Sequence, residues 1–140
     1  MPAVDSEQLF YTSQSSTLHH LSDHAAIKMS WFGEVDREPF QETYKSLCAA
    51  LQEKDAKWVI ADERNMTGVS TKGRMWLVTK FGRREGKIAL SRVQRIAIIK
   101  ARSVFASTVT KLMYKTLQSI AGFEYEYFDD EDQALRWLAQ

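Results

Sequence analysis

Two adjacent carboxylates, Asp62 and Glu63, follow the apolar run Trp58–Ala61 and stand directly before Arg64 and Asn65. A carboxylate acts as a general base when a closed pocket raises its pKa toward the working pH, and paired acids at the carboxyl end of a strand suit that task. Arg64 and Asn65 favour the ordinary alternative, a polar, hydrogen-bonded loop that closes over the sheet edge. A second apolar run, Gln94–Ile99, ends near Arg102. In an open α/β sheet, ligands and partners meet the segments that leave the carboxyl ends of the strands, so Arg64 and Arg102 are placed to hold an anionic group there. Trp76 and Arg74 follow in a basic, aromatic segment, Arg74 to Arg84, and would add apolar contact and charge. The expected ligand- or partner-binding set is therefore Asp62, Arg64, Asn65, Arg74, Trp76 and Arg102, in a binding module rather than an enzyme. The alternative is a small enzyme with Asp62 or Glu63 as general base.

Other reactive residue types form no recognisable constellation. The three histidines, His19, His20 and His24, lie close together, but adjacent strand residues face opposite ways, and no carboxylate pair or second cysteine completes a metal site. Cys48 falls within a helical apolar stripe, where it reads as a small core residue without an activating histidine. No glycine-rich nucleotide loop, nucleophile elbow or zinc motif occurs, so no cofactor is signalled.

The elements that position these residues follow from periodicity. The first 33 residues read as strands joined by polar turns. Ala25–Phe32 alternates Ile27, Met29 and Trp31 against Lys28 and Ser30, with Gly33 as its end. Asp36 caps a helix to Lys54 whose apolar set is Phe40, Tyr44, Leu47, Cys48 and Leu51. Ser70 or Thr71 caps the basic, aromatic helix, which Gly73 and Gly82 weaken. Ser103 caps a helix over Val104–Ile120, with Phe105, Val109, Leu112, Met113, Leu117 and Ile120 expected inward and Gly122 as its stop. A last strand, Phe123–Phe128, precedes a helix over Glu131–Ala139 capped by Asp129 or Asp130. Strands separated by crossover helices predict an α/β fold. The expectation is a single domain over residues 1–140, with a mixed, mostly parallel central sheet, helices on its faces and a β-rich N-terminus.

Composition sets the remaining bounds. Hydrophobic residues make up 44% and charged residues 26% of the 140, the balance of an ordinary globular chain. No apolar run is long enough to span a bilayer, no secretory signal opens the chain, and the single cysteine fits a reducing compartment, so a cytoplasmic location is expected. The net charge of +1 hides an asymmetry: Lys72–Arg102 carries ten basic residues against Glu85, and Glu124–Gln140 carries six acids against Arg136. A basic patch of this kind suits a protein partner, a small apolar or anionic ligand, or peripheral contact with an anionic membrane. Nucleic acid is disfavoured because the basic residues are divided among a helix, a loop and a buried strand. The opposite charges of the middle and the end are compatible with a homodimer.

At the strand, turn and helix around residues 58–84 the chain resembles STAS domains, specifically the SpoIIAA-like group related to the sporulation anti-sigma factor antagonist. Element order and the terminal FDDEDQALRWL helix extend the resemblance over most of the chain. Ser70-Thr71-Lys72-Gly73 occupies the place of the family's Asp-Ser-Ser-Gly-like turn, which puts Thr71 on the phosphorylated serine and Gly73 on the glycine. The resemblance implies a non-enzymatic signalling module with Thr71 as the phosphorylation position. Through the related CRAL-TRIO domains, it also implies lipid binding beneath a movable helix.

Overall fold

The computed structural model describes residues 7–140. Six strands form one sheet in the order of the chain: β1 (Glu7–Thr12), β2 (Ser16–Leu21), β3 (Ala26–Val35), β4 (Trp58–Val69), β5 (Arg95–Ile99) and β6 (Glu124–Phe128). The first three run antiparallel as a meander, and β3 to β6 are parallel. The crossovers are α1 (Arg37–Glu53), then α2 (Thr71–Trp76) with α3 (Glu85–Leu90), then α4 (Val104–Ala121). Parallel crossovers are almost always right-handed, so a sheet that grows in one direction places every crossover on the same face. The larger core lies between that face and α1–α4, with Trp31, Phe40, Tyr44, Leu47, Met66, Leu77, Met113 and Leu117 at its centre. After β6 the chain folds back as α5 (Glu131–Leu138), whose Ala134 and Leu138 bury Ala26, Ile60, Ala97 and Ile99 on the opposite face.

Helix starts follow the expected chemistry in three places. Ser70 accepts a bond from Gly73 N–H at 3.2 Å, Ser103 from Ala106 N–H at 3.2 Å, and Asp130 from Gln133 N–H at 2.9 Å. Asp36 holds the N-cap position of α1, but its side chain makes no capping bond. The α1 stripe is as expected, and Trp31, Phe40 and Tyr44 lock it to β3 with ring centroids 5.0 to 6.0 Å apart.

Four expectations require correction. The segment 62–65 is not a loop: β4 continues to Val69, because the backbone beyond Asp62 finds hydrogen-bonding partners along Phe32–Val35 of β3. Gly33 does not end β3; at φ +65° it sits beside a register shift, and the strand runs on to Val35. The basic helix Arg74 to Arg84 is divided into α2, a π-helical turn over Leu77–Phe81, and α3. Finally, α4 keeps Met113 and Leu117 inward as expected but is turned from the rest of the expected stripe, by somewhat less than the ~100° of one residue step. Ala106, Thr110, Met113, Tyr114 and Leu117 face inward, and Phe105 and Leu112 are each 66% exposed.

The π turn closes through Gly82 N–H to Leu77 O at 2.7 Å. A Cβ on Gly82 would stand 2.3 Å from that carbonyl oxygen and 3.2 Å from Leu117 Cδ2. Backbone must therefore shift if any side chain is added. Gly82→Ala is expected to lose about 1–3 kcal/mol of stability in urea unfolding, the cost typical of forced overpacking. A variant as stable as the parent would show that the turn is not closed in this way.

Candidate functional site

Pairing β4 along β3 decides the fate of the Asp62-Glu63-Arg64 triplet, because successive strand side chains face opposite ways. Asp62 and Arg64 point to the α5 side. There, Arg64 Nε and Nη2 donate to Asp62 Oδ1 and Oδ2 at 3.0 and 2.7 Å, and Arg64 N–H reaches Oδ1 at 3.2 Å. Burial alone would raise the Asp62 carboxyl; the Arg64 bonds and charge, with Lys28 behind, outweigh it and hold the group below its usual value. Asp62 is thus an ionised, occupied carboxylate, and the Arg64 guanidinium is taken up by it. Lys28 in turn meets Glu131 at 2.5 Å.

Glu63 faces the opposite way, into the larger core, and is 1% exposed. Thr110 Oγ1 donates to Oε1 at 3.0 Å and Tyr114 OH to Oε2 at 2.8 Å. Both donors come from α4, which explains the rotation of that helix: Thr110 and Tyr114 must face inward to satisfy the carboxyl, and Phe105 and Leu112 are carried outward. No cation joins the group among the described residues. The groups that act on it are the Tyr114 and Thr110 hydroxyls of α4 and the charge of Asp62 next to it in the chain, and its own charge in turn raises the phenols of Tyr44 on α1, Tyr114 on α4 and Tyr127 on β6. Burial pushes its pKa up to about 7; the two hydroxyl bonds offset this only in part, and the Asp62 charge adds to it. Glu63 has the raised pKa of a general base, but it lines none of the surface clefts described below.

The other expected residues fall into two groups. Just past the carboxyl end of β5, where β4 runs on alone beside β3, Arg102 N–H bonds Arg64 O at 3.3 Å, and its guanidinium reaches Asn65 Oδ1 at 3.4 Å. At the start of α2, Arg74 donates to Thr71 Oγ1 at 3.2 Å and to Val69 O at 3.5 Å. Trp76 is half-buried and stacks on Phe81 with centroids 4.5 Å apart. Cys48 is buried and its thiol is pushed up to about 12, first by burial and then by the charge of Glu85, as suits a packed, neutral thiol. Among the described residues no group of three or more metal-ligating side chains is gathered.

Sequence reasoning missed an apolar face on the outside of α2 and α4. Met75 is 55%, Val104 81%, and Phe105 and Leu112 each 66% exposed. Between the helices lies a small groove of about 110 Å³ lined by Arg74, Met75, Val78, Val109, Leu112, Met113 and Thr116. Residues 70–84 and 103–122 contain no acid and hold Lys72, Arg74, Lys80, Arg83, Arg84, Lys111 and Lys115. A signal was present: the apolar residues of α4 are too many for one inward stripe, so some had to face solvent.

The buried carboxyl generates a pH dependence with a definite sign. Its folded pKa, about 7, lies above the ordinary 4.5, so its contribution is full below about 4.5 and is lost as pH rises through 7. From this shift alone, Glu63→Gln is expected to flatten the fall in stability between about pH 5 and about pH 8, a difference on the order of 3 kcal/mol. Chemical unfolding at several pH values checks this, and parallel curves for the two proteins would contradict it.

Comparison with known proteins bears on this geometry. The family model described as SpoIIAA-like matches residues 26–139. A crystal structure of an uncharacterised protein with a SpoIIAA-like fold from Shewanella loihica PV-4 is 19% identical, covers 94% of each chain and superposes with a TM-score of 0.55. The anti-sigma factor antagonist SpoIIAA in its unphosphorylated form is 13% identical, with 95% of this chain and 97% of that one covered, and the same TM-score of 0.55. No match was found among curated proteins. The matched span runs from β3 through α5 and so includes the parallel strands, α1 to α5 and most of both helix-covered cores; the chain belongs to the SpoIIAA-like family.

Proposed function

We propose that the protein is a non-enzymatic regulatory module that recognises an acidic surface of a protein partner with the apolar, basic face of α2 and α4. The observation that carries this reading is the outward display of Met75, Val104, Phe105 and Leu112 amid cations, with no acid on either helical segment. Apolar side chains supply contact area, and the surrounding Lys and Arg residues select and steer an acidic partner. Arg74, one of the residues expected from sequence, lines the groove itself, and Arg102 precedes α4 in the chain. The description of one solved neighbour as an anti-sigma factor antagonist supports action on a protein. Thr71 is exposed at the start of α2 beside Arg74. Phosphorylation there would add negative charge beside Arg74, which lines the partner face, and so weaken an acidic partner.

A second reading, peripheral contact with an anionic membrane, draws on the same mixture of exposed apolar and basic side chains. Among the described residues no helix is long and apolar enough to cross a membrane. The enzymatic alternative has less support, since Asp62 is held by Arg64 and Glu63 by Thr110 and Tyr114.

Phe105→Asp and Leu112→Asp replace exposed side chains and are expected to change stability by no more than about 0.5 kcal/mol. Both should lose the protein partner that the parent retains in affinity capture. The membrane reading instead requires the parent to sediment with anionic but not neutral vesicles, and the triple charge reversal at Arg74, Arg83 and Arg84 to abolish it. Capture unchanged by either aspartate variant, or the vesicle result, would overturn the protein-partner reading.

A further inference from the structure

We infer that the groove between α1 and the α2–π segment, which meets the proposed partner face at Met75, is a binding site for a small aryl phosphate, a flat apolar ring bearing a phosphate. The cleft there measures about 330 Å³ and is lined by Arg37, Gln41, Thr71, Lys72, Met75, Trp76, Thr79 and Lys80. That volume is within the range of small-ligand sites. Its α1 wall has a helical repeat, Arg37 and Gln41, which Lys45 extends into a second cleft of about 190 Å³ that shares Trp76 and Lys80 and adds Arg84 and Glu85. Together the two adjoining clefts are lined by five cations, Arg37, Lys45, Lys72, Lys80 and Arg84, and a single acid, Glu85.

Charge placement gives the groove its selectivity. The ion pairs of the described residues are Lys28–Glu131, Arg64–Asp62, Arg95–Glu124 and Lys100–Asp129, and none involves a groove residue. Arg37, Lys72 and Lys80 therefore face the cleft without an acid partner among the described residues. Like charges gathered in this way repel one another, and a dianionic phosphate relieves that repulsion while pairing with more than one of them. The apolar half of the ligand has an equally defined place. Trp76 is held from behind by Phe81, with rings 4.5 Å apart and tilted by 22°, so its indole is a supported platform, and Met75 adds a soft thioether beside it. Two other clefts of similar size lack this combination. That of about 330 Å³ near Phe10 and Tyr11 has Lys54 with Glu53, and that of about 320 Å³ near Ile120 has Arg83 and Lys87 but no ring.

The test is calorimetric titration of the purified chain with three probes: 4-methylumbelliferyl phosphate, neutral 4-methylumbelliferone and inorganic phosphate. The aryl phosphate should bind saturably below about 1 mM and at least about tenfold tighter than either fragment. Lys72→Glu with Lys80→Glu, both exposed positions, should weaken it by at least about tenfold, and Leu112→Asp on the partner face should leave it unchanged. Trp76→Ala, checked for folding by circular dichroism, should weaken the aryl phosphate and leave inorganic phosphate unaffected. No saturable binding, equal binding of a fragment, or indifference to the lysine reversals would each overturn the assignment. The Leu112→Asp control separates its failure from that of the partner face.

Discussion

The pairing of β4 with β3 over nearly the whole of both strands is the constraint from which the rest of the molecule follows. It runs from Ala26–Trp58 to Val35–Val69, well past Asp62–Ile99, where the pairing with β5 ends. This long ladder carries polar residues that would otherwise form a loop, because backbone groups that find partners there need no solvent. Alternation then acts on whatever side chains the strand contains. It sends Asp62 and Arg64 together to one face, where they neutralise each other, and sends Glu63 alone to the other.

A lone carboxyl in an apolar core is costly unless it is hydrogen-bonded or uncharged. Here α4 answers the cost with two hydroxyls, Thr110 and Tyr114, rather than with a cation. Neutral donors satisfy the oxygens but do not offset the desolvation of a charge, so the acid keeps its proton until the pH approaches 7. The consequence reaches the surface. A helix rotated to deliver Thr110 and Tyr114 inward must present Phe105 and Leu112 outward, and the apolar face assigned to partner binding is the other side of the same rotation.

Ion pairing is divided between the two sides of the sheet. Glu124 of β6, Asp129 beyond it and Glu131 of α5 are met by Arg95, Lys100 and Lys28 on or beside the sheet, whereas the cations of α1, α2 and α4 have no ion-pair partner among the described residues. Attraction is used for folding at the α5 side and is available for binding at the α1–α4 side. The π turn that splits the basic helix contributes by presenting Trp76 and Lys80 toward α1.

Much of the architecture was determined by sequence alone. The α1 stripe, the caps at Ser70, Ser103 and Asp130, the buried runs of β4 and β5, and the α/β order are local patterns of spacing and side-chain chemistry, and they read correctly because each depends on near neighbours in the chain. The motif at Ser70–Gly73 likewise pointed to the family that the whole domain supports. What the tertiary structure decided was everything set by residues far apart. The loop read at Asp62–Asn65 became strand because β3 was there to pair with it. The stripe of α4 turned because a carboxyl 47 residues earlier in the chain, Glu63, required the Thr110 hydroxyl. The groove of Arg37, Lys72, Trp76 and Lys80 exists only because α1 packs beside α2. Local periodicity reports which residues are apolar; it cannot report which distant polar group they must share the interior with.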